Sequence, residues 1–190
     1  MEVKTTELEG VLIITPQIFK DKRGYFCESF NRKKLNEHIG EFNVLQINQS
    51  KSKEGVLRGL HFQKPPYTQA KFVEVLSGAV LDVVVDIRTN SKTFGQHLSF
   101  VLDDVYKEQV YVPRGFAHGF VVLTKNAKFQ YVVDNEYSPA HEEGIVYDDF
   151  DLDIDWEIQK PRVNDKDKAL KRFKDQNFYT ALDYFANPLG

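Results

Sequence analysis

Ala79-Val80-Leu81-Asp82-Val83-Val84-Val85-Asp86-Ile87 lies in the middle of the chain and alternates with a period of two. Leu81, Val83, Val85 and Ile87 fall on one face, and Asp82 and Asp86 fall on the other. That period belongs to a β-strand, whose successive side chains point to opposite faces of a sheet. The signal repeats on both sides. Val11-Leu12-Ile13-Ile14-Thr15, Tyr25 to Phe30, Val56 to Gln63 and Lys71 to Leu76 precede it. Leu98 to Leu102, Gln109 to Val112, Gly119 to Leu123 and Phe129 to Val133 follow. Turn residues separate these runs: Lys64-Pro65-Pro66, Ser77-Gly78, Thr89-Asn90-Ser91, Pro113-Arg114-Gly115 and Lys125-Asn126. Many short strands at short, regular intervals predict an all-β sandwich or barrel.

Helical signals are few. Asn31 is a good N-cap for a short helix over Arg32 to His38. Lys166 to Gln176 carries Ala169, Leu170 and Phe173 at helical spacing and predicts a surface helix. Tyr179 to Gly190 is aromatic and ends in Asn-Pro-Leu-Gly, a tail that is either loosely held or packed on a partner subunit. No repeat, low-complexity tract or linker divides the chain, so one domain over 1–190 is expected, with a C-terminal tail after about residue 168.

The chain has 190 residues, long enough for a real core. Its 25 Lys+Arg and 28 Asp+Glu give a net charge of −3, which argues against a surface built to bind nucleic acid. Cys27 is the only cysteine, so neither an intrachain disulfide nor a thiolate zinc cluster is available. Met1 to Thr6 lacks the apolar core of a signal peptide, and no apolar run reaches the ~18 residues of a membrane helix. The expectation is a soluble, cytoplasmic protein with no membrane partner.

Two motifs carry chemistry. Arg58-Gly59-Leu60-His61-Phe62-Gln63 is followed by Lys71, and Pro113-Arg114-Gly115-Phe116-Ala117-His118-Gly119-Phe120 supplies a second imidazole. A strand offering two ligands to one metal would read His-x-His; here Gln63 occupies the second position, so no metal is expected. A neutral imidazole suits a general base, and a base for a carbon acid needs a cation beside the carbonyl oxygen. Lys71 shares parity with Val73 and Val75 and is that cation if they face a core; a lysine snorkelling at a strand end is the plainer reading. Tyr131 shares parity with Phe129 and Val133 and is a candidate acid, against the plainer reading of a core tyrosine. Arg58 and His61 have opposite parity, so a bulge at Gly59 is needed to aim both at one site. His38, His97 and His141 read as solvated surface residues.

These motifs, taken in order, resemble those of the dTDP-4-dehydrorhamnose 3,5-epimerase family. The likeness runs from about Leu8 to Asp167. It rests on Arg23-Gly24-Tyr25-Phe26-Cys27-Glu28, Gln46-Ile47-Asn48-Gln49-Ser50, Gly55 to Gln63, Gln69 to Val73, Asp82 to Arg88, Thr93-Phe94-Gly95, Pro113 to Phe120, Asp148-Asp149 and Ile154-Asp155-Trp156. The resemblance implies a cupin or jelly-roll barrel, a double-stranded β-helix with a few short peripheral helices, and a cofactor-independent, metal-free epimerase. It implies His61 as general base, Asp167 as the acid group orienting it, Lys71 as enolate stabiliser and Tyr131 as general acid. Arg23, Phe26 and Glu28 are implied substrate contacts, reaching a neighbouring subunit's site in a homodimer. Gln46, Asn48, Arg58, His118, Tyr137, Glu142 and Lys166 are implied further contacts. The implied substrate is a dTDP-linked 4-keto-6-deoxyhexose, inverted at C3 and C5. Alternatives on the same scaffold are a mono-epimerase, a non-catalytic sugar-nucleotide binder and, more distantly, a metal-dependent oxygenase. The sequence departs from the family pattern at Ile47, usually Asp, and at Gln49 and Arg114, often Glu.

Overall fold

The computed structural model describes residues 1–186. Thirteen strands alternate with little helix: β1 (Glu2–Thr5), β2 (Leu12–Thr15), β3 (Ile18–Asp21), β4 (Gly24–Cys27), α1 (Arg32–Ile39), β5 (Gln46–Lys53), β6 (Leu57–Gln63), β7 (Lys71–Ser77), β8 (Ala79–Asp86), β9 (His97–Asp103), β10 (Gln109–Val112), β11 (Phe116–Val122), β12 (Asn126–Val133), β13 (Glu142–Gly144), α2 (Asp165–Lys168) and α3 (Ala181–Phe185). A six-stranded sheet runs β1-β2-β10-β7-β12-β5, a five-stranded sheet runs β13-β6-β11-β8-β9, and β3-β4 form a separate hairpin. This is the all-β, cupin-type architecture expected from the strand spacing and the motifs.

The sheets face each other across one apolar layer. Val73, Val75, Val110, Val112 and Phe129 come from the six-stranded sheet, and Val80, Val84, Phe116, Phe120 and Val122 come from the five-stranded sheet. The face of β8 read as apolar, Leu81, Val83, Val85 and Ile87, lies on the other side of its sheet, beneath Leu152, Trp156, Val163 and Tyr184. Both faces of β8 are therefore buried, and Asp82 points between the sheets with Val80 and Val84. On the outside of the six-stranded sheet, Leu12, Ile14, Phe72 and Val132 pack against Leu35 of α1. Phe120 and Phe129 stack at 4.2 Å across the central layer, and truncating such a buried ring costs ~3–5 kcal/mol.

Asn31 caps α1 as expected, its Oδ1 accepting from Lys34 N at 3.2 Å. The helix predicted over Lys166 to Gln176 does not form as one element. Four residues make α2, and the chain then extends beside Ile145, with Val146 N donating to Lys171 O at 3.0 Å. Pairing with the sheet edge, and Leu170 lying over Gly144, outcompete the helical spacing. The C-terminal segment is held down: Tyr184 is fully buried, Thr68 Oγ1 donates to Tyr184 O at 2.6 Å, and Thr89 N donates to Tyr179 O at 3.0 Å. Residues 187–190 of the expected tail lie outside the described residues.

Candidate active site

Local backbone geometry builds the site first. Where β6 pairs with β11, His61 stands opposite His118 and Arg58 stands opposite Phe120, so three steps on β6 match two on β11. The extra residue is the bulge expected at Gly59, and it puts Arg58 and His61 on one face despite their opposite parity. Gly59 has φ +116°, and a Cβ there would lie 2.5 Å from Gly119 Cα. Only glycine gives both the backbone conformation and the close approach of the two strands.

The face so created lines a cavity of about 410 Å³ between the sheets. His61 Nε2 is 2.9 Å from Asp167 Oδ1, and Asp167 Oδ2 accepts from Gly59 N at 3.1 Å. Asn164 Oδ1 accepts from Asp167 N at 2.6 Å and starts the short α2 helix, which aims the carboxylate inward. Burial alone would raise the Asp167 carboxyl, but the hydrogen bond and charge of His61 and the Gly59 N–H hold it below the usual range. Asp167 is therefore ionised and acceptor-only, so His61 Nε2 is the donor, and in the neutral ring the lone pair is at Nδ1.

Lys71 and Tyr131 come from adjacent strands: Tyr131 pairs with Val73, and Val133 with Lys71. Both side chains point into the inter-sheet layer, as parity predicted. Lys71 Nζ donates to His61 O at 3.4 Å. Burial pushes its ammonium down to about 8, against the opposing pull of Asp82 and then Glu142. Burial also raises the Tyr131 phenol, with Glu142 adding and Arg58 opposing, so the hydroxyl stays protonated at neutral pH. Asn48 sits beside Tyr131 on β5, with Gln46 two residues away donating to Asn48 Oδ1 at 2.7 Å. Glu142 accepts from Tyr137 Oη at 2.8 Å and from Lys166 Nζ. Burial opposes these bonds but does not win, and the Glu142 carboxyl is held low.

Gln63 is tied to backbone at both ends of its amide. Its nitrogen donates to Tyr67 O at 2.7 Å and Glu136 O at 2.9 Å, and its oxygen accepts from Ser138 N at 2.7 Å. It braces the segment that carries Tyr137. Among the described residues no group of three or more His, Cys, Asp or Glu converges as a metal site would require. His38 is exposed as expected, whereas His97 is half-buried and His141 packs on Tyr67 at 4.5 Å and bonds Ser138 Oγ at 2.8 Å.

Ten of the residues singled out from sequence meet here: His61, Asp167, Lys71, Tyr131, Gln46, Asn48, Arg58, His118, Tyr137 and Glu142 line the cavity, and Lys166 joins at its rim. Arg23, Phe26 and Glu28 do not. Arg23 pairs with Asp21 at 2.5 Å on the β3-β4 hairpin, Phe26 is 68% exposed, and Glu28 bonds Lys34 at 2.6 Å. Sequence reasoning missed Asp82, whose Oδ2 is 2.7 Å from His118 Nε2. The signal was its place on the valine-flanked face of β8.

The family model described as dTDP-4-dehydrorhamnose 3,5-epimerase matches residues 5–175. The chain belongs to that family. It is 45% identical over 180 residues to the dTDP-4-dehydrorhamnose 3,5-epimerase of Shigella flexneri, covering 94% of this chain and 99% of the relative. The crystal structure of the Elizabethkingia anophelis enzyme superposes with a TM-score of 0.89 at 47% identity, covering 93% of this chain and 98% of that one. The Legionella pneumophila enzyme, crystallised with dTDP-4-keto-L-rhamnose, superposes with a TM-score of 0.91 at 41% identity over 94% and 97%.

Seen within the 3,5-epimerase family, two of the three departures, Ile47 and Arg114, stand clear of the cavity, whereas Gln49 borders it. Ile47 and Gln49 have the parity opposite to Asn48 on β5; Ile47 is exposed, and Gln49 Nε2 donates to Gln130 Oε1 at 2.7 Å. Arg114 is buried and pairs with Asp134 at 3.0 Å.

Proposed function

We propose that this protein inverts C3 and C5 of dTDP-4-dehydro-6-deoxy-D-glucose to give dTDP-4-dehydro-L-rhamnose, by proton removal and return through an enolate. The observation that carries the reading is the His61–Asp167 pair, which occupies Nε2 and leaves Nδ1 for a substrate in a cavity that also holds Lys71 and Tyr131. The 4-keto group acidifies the neighbouring C–H bonds. His61 Nδ1 takes the proton, and negative charge moves to the ketone oxygen, where the Lys71 ammonium stabilises it. A positioned donor of this kind supplies ~3–4 kcal/mol to such a step. Tyr131 returns a proton to the opposite face, and the steps repeat at the second carbon. No electrons are transferred and the formula is unchanged, so the chemistry calls for no cofactor. Arg58 and Lys166 supply positive charge for the diphosphate, His118 is a further substrate contact, and Tyr137 supplies a ring for the base.

The protein acts as a single cytoplasmic domain and a homodimer. The β3-β4 hairpin with Arg23, Phe26 and Glu28 completes the partner's site rather than its own. That arrangement accounts for charged and aromatic residues standing on a hairpin outside both main sheets.

The test is incubation with dTDP-4-dehydro-6-deoxy-D-glucose in heavy water, read by mass spectrometry and NMR. Deuterium at both C3 and C5 is expected. Uptake at one carbon makes the protein a mono-epimerase, and no uptake sinks the enzymatic reading.

A further inference from the structure

Two aspartates four residues apart on β8 differ in one respect. Asp86 is fully buried and fully engaged: Arg88 Nε donates at 2.9 Å, Arg88 NH2 at 2.7 Å, Ser91 Oγ at 2.6 Å and Thr93 Oγ1 at 2.7 Å. Its role is structural, holding the loop after the strand. Asp82 is equally buried, but only its Oδ2 is used, by His118 Nε2 at 2.7 Å. Its Oδ1 is buried without a hydrogen-bond partner. An anionic oxygen among valines is costly unless a positive charge faces it.

The groups around that layer identify the charge. Lys71 on β7 lines the cavity together with His118, whose Nε2 is bonded to Asp82. His61 and Arg58 face it from β6, His118 from β11, Tyr131 from β12 and Glu142 from β13. Arg58 turns to Ser52 Oγ at 3.2 Å, and His61 is committed to Asp167. Glu142, the other carboxylate in reach of Lys71, is already bound by Lys166 and Tyr137. Lys71 is a cavity cation with no carboxylate bonded to it among the described residues, and Asp82 is a half-matched carboxylate one hydrogen bond behind the same wall, through His118.

We propose that Asp82 is the counter-charge that keeps Lys71 an ammonium, a positioning residue that acts through Lys71 and His118 and touches no reacting atom. The proposal rests on the epimerase reading for its purpose, since only a charged Lys71 stabilises an enolate, but its geometry stands without it. Burial lowers Lys71 to about 8, and Asp82 is the leading charge opposing that fall. Removing the carboxylate lets the amine drop further, toward neutrality, where much of it is uncharged.

The test titrates Lys71 directly, by 13C NMR of labelled lysine Cε, in the wild type and in Asp82→Asn, with Lys71→Arg assigning the resonance. The midpoint is expected near 8 in the wild type and roughly one unit lower in the variant. The alkaline limb of kcat/KM for deuterium exchange should move with it, adding about a tenfold loss at pH 9 beyond any loss at pH 6. In the Lys71→Arg background, Asp82→Asn should produce no such shift, because a guanidinium does not titrate there. A folded Asp82→Asn protein with an unmoved Lys71 midpoint overturns the proposal. If Asp82→Asn does not fold, His118→Gln frees the carboxylate for Lys71 and should raise the midpoint; an unchanged or lower value overturns it equally. A wild type that takes up no deuterium would defeat the epimerase reading alone, since the NMR titration needs no substrate.

Discussion

His61 works as a base only if one ring nitrogen is kept for the substrate. Asp167 secures that by occupying Nε2 at 2.9 Å while being anchored itself by Gly59 N. His61→Asn removes the basic ring nitrogen and leaves a smaller polar amide. We expect deuterium exchange to fall by on the order of 10²–10⁴, the range for a general base; the other carboxylate-bonded imidazole of the cavity, His118, stands on the neighbouring strand β11. Tyr131→Phe removes the proton returned on the far face. It should damage net inversion more than exchange, measured as product formed against deuterium gained in one incubation. Equal losses, or near-normal exchange in His61→Asn, mean that these roles are assigned wrongly. His61, Lys71 and Tyr131 were candidates through motif and parity, whereas Asp167 came only from the family resemblance. Asp82 was not legible in the sequence, because an aspartate on a strand reads as solvent-facing until both faces of that strand are seen to be covered.

At the scale of elements, the bulge in β6 does what regular alternation forbids. Gly59→Ala places a Cβ 2.5 Å from Gly119 Cα on a backbone at φ +116°. We expect a loss of at least ~2 kcal/mol, read as a fall in Tm of roughly 5 °C or more, together with loss of exchange as His61 turns out of line. A normal Tm with normal activity rules out the bulge as the device that aims the site. The element the sequence hid is β5. Gln46-Ile47-Asn48-Gln49-Ser50-Lys51-Ser52-Lys53 shows no apolar alternation, because it is an edge strand whose inner face borders a polar cavity instead of the core. Strand signals in sequence come from half-buried apolar surfaces, and β5 has none to show. The helix expected over Lys166 to Gln176 failed for the converse reason: its spacing was right, but tertiary pairing with Ile145 and Val146 claimed the backbone.

At the scale of the whole molecule, a chain whose hairpin carries Arg23, Phe26 and Glu28 away from its own cavity makes a specific prediction. His61→Asn chains and Arg23→Ala chains, each inactive alone, should regain activity when mixed and refolded together, because one site of the mixed dimer then has an intact base and an intact hairpin. Up to about a quarter of wild-type activity is expected: half the dimers are mixed and each has one intact site of two. No rescue in mixed dimers confirmed by mass spectrometry, or an active monomer, excludes the shared site. By itself the sequence determined the class of the protein: period-two alternation, turn residues and ordered motifs are local properties that survive without contacts. It also offered candidates for base, cation and acid. Only the tertiary structure decided which face of β8 lies inside, that Arg58 and His61 aim together, and that Asp82 bonds His118 beside the cavity that holds Lys71. Those outcomes depend on how one sheet covers another and on a single unpaired residue in a ladder, and neither is a property of any one segment.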